Sequence, residues 1–325
     1  MPTRARATQA LRSARQVSPI PNLMKALQSI LVAVDFTPSC RAALREAALR
    51  ASFDGAALTA VHVMDDFLIS ELKKALSLDP AAIVGEWRQR LEKFVAETEV
   101  GFPAIKCEIR IGHPFAELVQ SCRIHAADLL VMGAKGSRDE PHRIGTIAAK
   151  CIRKAPVDVL VVRDDAQGPF GRILACVDMS ENSGKAVRAA FHFAQQDQAA
   201  VDCLHVYQSA VAMSLDYGGL MPSPVASFDP EACKHWQSQL EAFIEPYQAL
   251  APDLKVQSIV IERMNIRETI LEHIEKSGAT LVVIGTRGKS GLREMLIGTT
   301  AEKIIQHAPC SILAIKPDDF IASAD

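Results

Sequence analysis

The sequence predicts an α/β protein of two tandem domains, each a doubly wound, five-stranded parallel sheet. Three observations lead there. The 325-residue chain repeats itself: Ile30-Leu-Val-Ala-Val-Asp35 returns as Ile173-Leu-Ala-Cys-Val-Asp178, and Val61-His62-Val63 returns as Leu204-His205-Val206. A fixed internal period marks a repeated structural unit. Short apolar runs alternate with helix-patterned segments, as βαβ units require. Aromatics are only 5% of residues, while small and branched aliphatics abound, as in strands buried on both faces.

The elements follow in order. Strand runs fall at 30–35, 57–63, 105–111, 128–132 and 158–163, and again at 172–178, 200–206, 254–261, 280–284 and 311–316. Ala43, Leu44, Ala47, Ala48 and Ala51 share one face of the first helix, as Ala186, Val187, Ala190, Phe191 and Ala194 share that of its counterpart. Thr37-Pro38 and Ser180 are helix-start signals. The glycines of Leu130-Val-Met-Gly133 and Val283-Ile-Gly285 lie 152 residues apart, against 143 for the first strands. The second copy therefore carries extra residues, which we place in Tyr217-Gly-Gly-Leu-Met-Pro-Ser-Pro224. The expected layout is a basic tail at 1–27, a first domain at 28–165, a linker at 166–171, a second domain at 172–317 and a tail at 318–325.

Composition excludes several classes. Hydrophobic residues are 49% and charged residues 23%, ordinary globular usage, which rules out a disordered or fibrous chain. A net charge of −2 provides no basic field for nucleic acid. No apolar run approaches the ~18 residues of a membrane span. The eight cysteines show no C-x-x-C pair and no zinc spacing, so they read as reduced packing residues of a cytoplasmic protein. Residues 1–34 hold Arg4, Arg6, Arg12, Arg15 and Lys25 and no acid. Such a leader can be a transit peptide; a solvated tail, or a start at Met24, is the expectation.

In a doubly wound sheet, ligands bind beyond the carboxyl ends of the strands, where strand order reverses. Three features converge there in each copy: Asp35 or Asp178 after the first strand, the loop after Val63 or Val206, and a glycine loop after the fourth strand. In the second copy that loop begins Gly285-Thr-Arg287-Gly288-Lys289 and ends Gly298-Thr299-Thr300. Glycines permit close backbone approach, and the free N–H groups of a helix start suit phosphate. Arg287, Lys289 and Arg293 against Glu294 leave the loop at +2. A P-loop is excluded because position 283 is Val, and a dinucleotide fingerprint because Asp178 is followed by Met-Ser-Glu-Asn.

Gly285, Gly288, Gly298 and Thr299 stand at the spacing Gly, two residues, Gly, nine residues, Gly-Ser/Thr. With Val177-Asp178-Met-Ser180, Leu204-His205-Val206 and Ala301-Glu-Lys-Ile-Ile-Gln-His-Ala-Pro-Cys310, the sequence resembles the universal stress proteins, tandem two-domain type, over nearly all of 28–317. The resemblance implies ATP or a related adenine nucleotide, alone or with Mg, bound by a cytoplasmic stress-response regulator. By position, Asp178 would contact adenine and the Val206 backbone would frame it. Gly285, Arg287 and Gly288 would line the ribose–phosphate path, and Gly298, Thr299 and Thr300 would hold phosphates. It also implies an intramolecular pseudo-dimer, with the final strands of the two domains paired. A further homodimer and an unidentified protein partner are compatible with it.

The first copy departs from the pattern. Asp35, Val63, Gly133, Gly136, Gly145 and Thr146 are the counterparts, but the loop is one residue shorter and holds Asp139 and Glu140. The expectation is that the deletion shifts the phosphate donors and the acids repel an anion, leaving the second domain as the principal site. Two other readings stay open: a slow ATPase or phosphotransferase using Arg287 and Lys289, or a nucleotide-free module. In the latter, loops 65–80 and 207–229, with Met64, Phe67, Leu68, Met213, Leu215, Leu220 and Met221, would bind a protein or a small apolar ligand. His62 and His205 read as packing residues, the other histidines lack ligand spacing, and Asp128 reads as a helix cap. No catalytic residue and no metal site is assigned.

Overall fold

A computed structural model describes residues 26–67, 79–98, 104–135, 144–164, 166, 168–208, 230–288 and 297–320. The chain divides into two compact units that part between Pro169 and Phe170, the second running to Pro317.

The first unit contains β1 (Ser29–Ala33), α1 (Pro38–Asp54), β2 (Ala57–Met64), α2 (Pro80–Glu97), β3 (Ile105–Ile111), α3 (Pro114–Ile124), β4 (Leu129–Gly133), α4 (Thr146–Lys154) and β5 (Asp158–Val162). Its strands are parallel, in the order β3-β2-β1-β4-β5. The second unit repeats this with β6 (Arg172–Cys176), α5 (Glu181–Asp197), β7 (Ala200–Tyr207), α6 (Pro230–Gln248), β8 (Val256–Glu262), α7 (Ile266–Ser277), β9 (Leu281–Gly285), α8 (Thr299–His307) and β10 (Ser311–Ile315). The order is β8-β7-β6-β9-β10, again all parallel. Every strand read from the sequence is present within two residues of its expected ends.

Burial explains the patterns. Ile30, Leu31 and Val32 are fully enclosed, as are Ile173, Leu174 and Ala175, because helices cover both faces of these central strands. The apolar faces expected of α1 and α5 are buried at all ten positions. Helix α1 also buries what periodicity does not announce: the Arg50 guanidinium, with no exposed surface, meets Glu46 at 2.7 Å. Thr37 caps α1 through the Cys40 N–H, and Ser180 caps α5 through the Ser183 N–H. Asp128 corrects its reading as a helix cap. Its carboxylate accepts from the N–H groups of Gln28 (2.6 Å) and Ser29 (3.0 Å), so it anchors the start of β1; Thr280 does the same for Gly171. All eight cysteines are free, five of them buried. No described helix is long and apolar enough to cross a membrane.

Candidate functional site

The reversal of strand order falls between β1 and β4 in the first unit and between β6 and β9 in the second. There the chain leaves the first strand through the same turn twice. Asp35 Oδ1 accepts from the Thr37 N–H at 3.1 Å and its hydroxyl at 2.6 Å; Asp178 Oδ1 accepts from the Ser180 N–H at 3.0 Å and its hydroxyl at 2.5 Å. Phe36 and Met179, the residues between, have φ of 63° and 62°. Non-glycine residues seldom adopt that conformation, and it concentrates where a site dictates the backbone. The aspartates are thus fixed through one oxygen. In the second unit the other oxygen faces Gly288, where a Cβ would stand 2.5 Å from Asp178 Oδ2.

The neighbouring strand contributes backbone. Val34 N donates to Val61 O, and Val177 N to Leu204 O. Two residues on, Val63 and Val206 turn the same edge toward strands that have already ended. No bond joins their N–H groups to Val34 O or Val177 O; each of those carbonyls is met by an imidazole instead, His62 Nδ1 lying 2.7 Å from Val34 O and His205 Nδ1 2.7 Å from Val177 O. A backbone carbonyl can only accept, so Nδ1 carries the proton in each. Burial is the chief cause that holds His62 below its ordinary 6.5, with Arg90 adding to it. Trp87 of α2 stacks on His62 with ring centres 5.1 Å apart, and Trp236 of α6 lies 4.8 Å from His205. The sequence reading gave these histidines to packing alone and missed this bond. It also placed Val63 and Val206 at the strand ends, whereas β2 and β7 run one residue further.

The glycine loops are pinned alike at both ends. Ala134 N donates to Val162 O and Gly145 N to Ala134 O, each at 2.8 Å; Thr286 N donates to Ile315 O at 2.9 Å and Gly298 N to Thr286 O at 2.8 Å. Gly145 and Gly298 are extended N-caps without a side-chain bond, so the first-turn N–H groups of α4 and α8 keep no side-chain acceptor at the cap. The shorter first loop, expected to shift the donors, is closed at its neck by the same backbone bonds as the longer second loop, and the residues between lie outside the described ones. Gly133 and Gly285 both lie close against the helix that follows the first strand. A Cβ on Gly133 would meet the Ser39 backbone at 2.9 Å, and one on Gly285 would meet Asn182 Nδ2 at 2.7 Å. Asn182 Nδ2 donates to Arg287 O and to Ile315 O, joining the loop to the end of β10.

Of the first-unit candidates, Asp35, Val63, Gly133, Gly145 and Thr146 line one cavity of about 380 Å³, together with His62, Cys40, Lys135 and apolar residues from α3 and α4. Burial, reinforced by Asp35, pushes the Cys40 thiol up to about 12, so it lines the cavity as an unreactive group. Gly136 lies outside the described residues. In the second unit Asp178 and Gly288 meet, the Arg287 carbonyl is held by Asn182, and Gly298, Thr299 and Thr300 open α8. Arg267, a residue the sequence reading did not single out, reaches the Thr299 hydroxyl at 3.3 Å and brings a cation to that helix start. Lys289 and Arg293 lie outside the described residues. So do Leu68, Met213, Leu215, Leu220 and Met221 of the apolar-loop reading, and the stretch Tyr217–Pro224. No cluster of three or more metal-ligating side chains occurs among the described residues.

The universal stress protein family model matches residues 26–163 and again 169–316. The chain belongs to the universal stress protein family. Universal stress protein E of Salmonella typhi is 24% identical over 318 residues, covering 91% of this chain and 96% of its own. Universal stress protein YxiE of Bacillus subtilis is 32% identical over 150 residues, 45% of this chain and 99% of its own, as a single-copy relative of a tandem chain would be. Among solved structures, a universal stress protein from Archaeoglobus fulgidus has the same fold, with a TM-score of 0.57 at 17% identity, covering 89% of this chain and 98% of that one.

Proposed function

We infer that the protein is a cytoplasmic stress-response regulator that binds ATP or a related adenine nucleotide, chiefly in its second unit. The observation that carries this reading is the closeness of Gly288 to Asp178. A Cβ at position 288 would stand 2.5 Å from Asp178 Oδ2, so glycine lets the loop come close to the carboxylate, at the end of the sheet where the Val206 strand edge and the start of α8 also lie. The aspartate and the strand edge offer partners for a base, while the helix start and Arg267 favour phosphate. Arg287 and Gly288 lie on the path between, and Thr299 and Thr300 supply hydroxyls at the phosphate end. Mg2+ would accompany the phosphates rather than occupy a protein cage.

The nucleotide is held as a signal. Binding biases the loop between Thr286 and Gly298, which one backbone bond pins at its neck, and so changes the surface offered to a protein partner. Calorimetry with ATP tests this. The unaltered chain should bind, and Gly298→Asp, which sets a carboxylate at the phosphate end, should abolish binding while the melting temperature holds. A folded Gly298→Asp chain with unchanged affinity would overturn the assignment.

A further inference from the structure

The two sites agree at one end and differ at the other. At the aspartate end the turns, the imidazole bonds and the open strand edges are the same. At the helix end, the second residue of α7 is Arg267, whereas the second residue of α3 is the buried Phe115. Arg267 has no acidic partner among the described residues and bonds Thr299. Lys135, which occupies the place of Arg287, lies 3.5 Å from Asp164. The first unit therefore keeps its partners for a base. Among the described residues α3 brings no cation to the start of α4, the Lys150 ammonium stands over the Phe115 ring instead, 4.4 Å from its centre, and Asp164 stands beside the lysine at its own loop. Its cavity of about 380 Å³ falls near the lower end of the range for small-molecule sites.

We propose that the first unit binds an uncharged nucleoside, or a ring compound of that size bearing N–H donors, and discriminates against the polyphosphate taken by the second unit. The choice of an adenine base as probe rests on the nucleotide reading above; the discrimination rests on the difference between the units. Each unit has one tryptophan packed on its imidazole, so Trp236→Phe leaves Trp87 to report the first site by fluorescence, and Trp87→Phe leaves Trp236 for the second.

With Trp236→Phe, adenosine should quench or shift the emission saturably, and ATP should bind about tenfold more weakly than adenosine. With Trp87→Phe the preference should reverse. Adding Asp164→Asn, at a partly exposed position, to the first-site reporter should improve ATP binding several-fold and leave adenosine unchanged. Calorimetry on the unaltered chain, which needs no variant to fold, should count two adenosines and one ATP. Equal affinity of ATP and adenosine at the first site would overturn the proposal, as would a single adenosine site that Asp178→Asn removes. Adenosine at the first site without ATP at the second would support it and overturn the nucleotide reading of the second unit.

Discussion

His205 Nδ1 lies 2.7 Å from the carbonyl oxygen of Val177, the residue immediately before Asp178. That oxygen is the last acceptor of its strand edge, and Val177 is only 4% exposed. Without the imidazole it would be buried and unpaired, or would capture the Val206 N–H and close the open edge. His62 and Val34 repeat the arrangement, so the histidine positions the aspartate turn in both units.

His205→Leu should cost about 1–3 kcal/mol, the penalty for a buried unsatisfied acceptor. His205→Asn, whose amide can stand where Nδ1 stood, should recover part of it. Urea denaturation read at Trp236 measures both. Equal losses for Leu and Asn would show that ring packing alone matters.

The glycines should separate into packing and site positions. Gly133→Ala meets backbone at 2.9 and 3.0 Å. Crowding of that kind should destabilise by about 1–3 kcal/mol. Gly298→Ala meets only Thr286 O at 3.7 Å, an ordinary contact, and should leave melting nearly unchanged. Gly288→Ala presses on the Asp178 carboxylate and should weaken nucleotide binding more than it lowers stability. Thermal melts and calorimetry on the three variants sort them. A Gly288→Ala chain with full affinity would remove Asp178 from the site.

The repeat made the fold legible, since each strand of one copy confirmed its counterpart and buried parallel strands advertise themselves as aliphatic runs. The aspartates, the strand edges and the glycine loops were legible for the same reason. Arg267 was not, because it lies 32 residues before Thr299 in the chain and only the packing of α7 beside α8 brings the two together. The role of His205 was hidden too: a histidine in an apolar strand looks alike whether it packs or caps a carbonyl. The close approach of Gly285 to Asn182 was not legible either, because a glycine packed on a side chain has the same spacing as one beside a ligand.

Stability should fall on mild acidification. His62 and His273 are both held below 6.5, with burial the largest cause in each. As the pH falls through 6.5 the unfolded chain takes up these protons before the folded one, so their contribution is full above 6.5 and is lost toward the lower folded values. Urea midpoints should decline between about pH 7 and pH 5, and His273→Gln should flatten part of the decline. A midpoint that rises over this range would contradict the direction.

The last prediction uses one unit as the control for the other. In the second unit Arg172 Nη1 meets both oxygens of the buried Asp202, at 2.9 and 3.0 Å, and His273 Nε2 stands 3.8 Å from the same carboxylate. The matching positions of the first unit hold Ser29, Thr59 and Ser121, all neutral. A buried pair seldom stabilises more than a neutral replacement, yet removing one partner strands the other. Arg172→Ser should therefore cost about 2 kcal/mol, less than the ~3–5 kcal/mol of a fully buried pair, because the arginine side chain is 40% exposed. The double change Arg172→Ser with Asp202→Thr, which copies the first unit, should restore most of the loss. The single variant should also raise the His273 pKa, since Arg172 now lowers it and Asp202 raises it. Chemical denaturation and an NMR titration of His273 test both halves. A double variant as unstable as the single one would mean that the triad contributes net stability beyond what the neutral set provides.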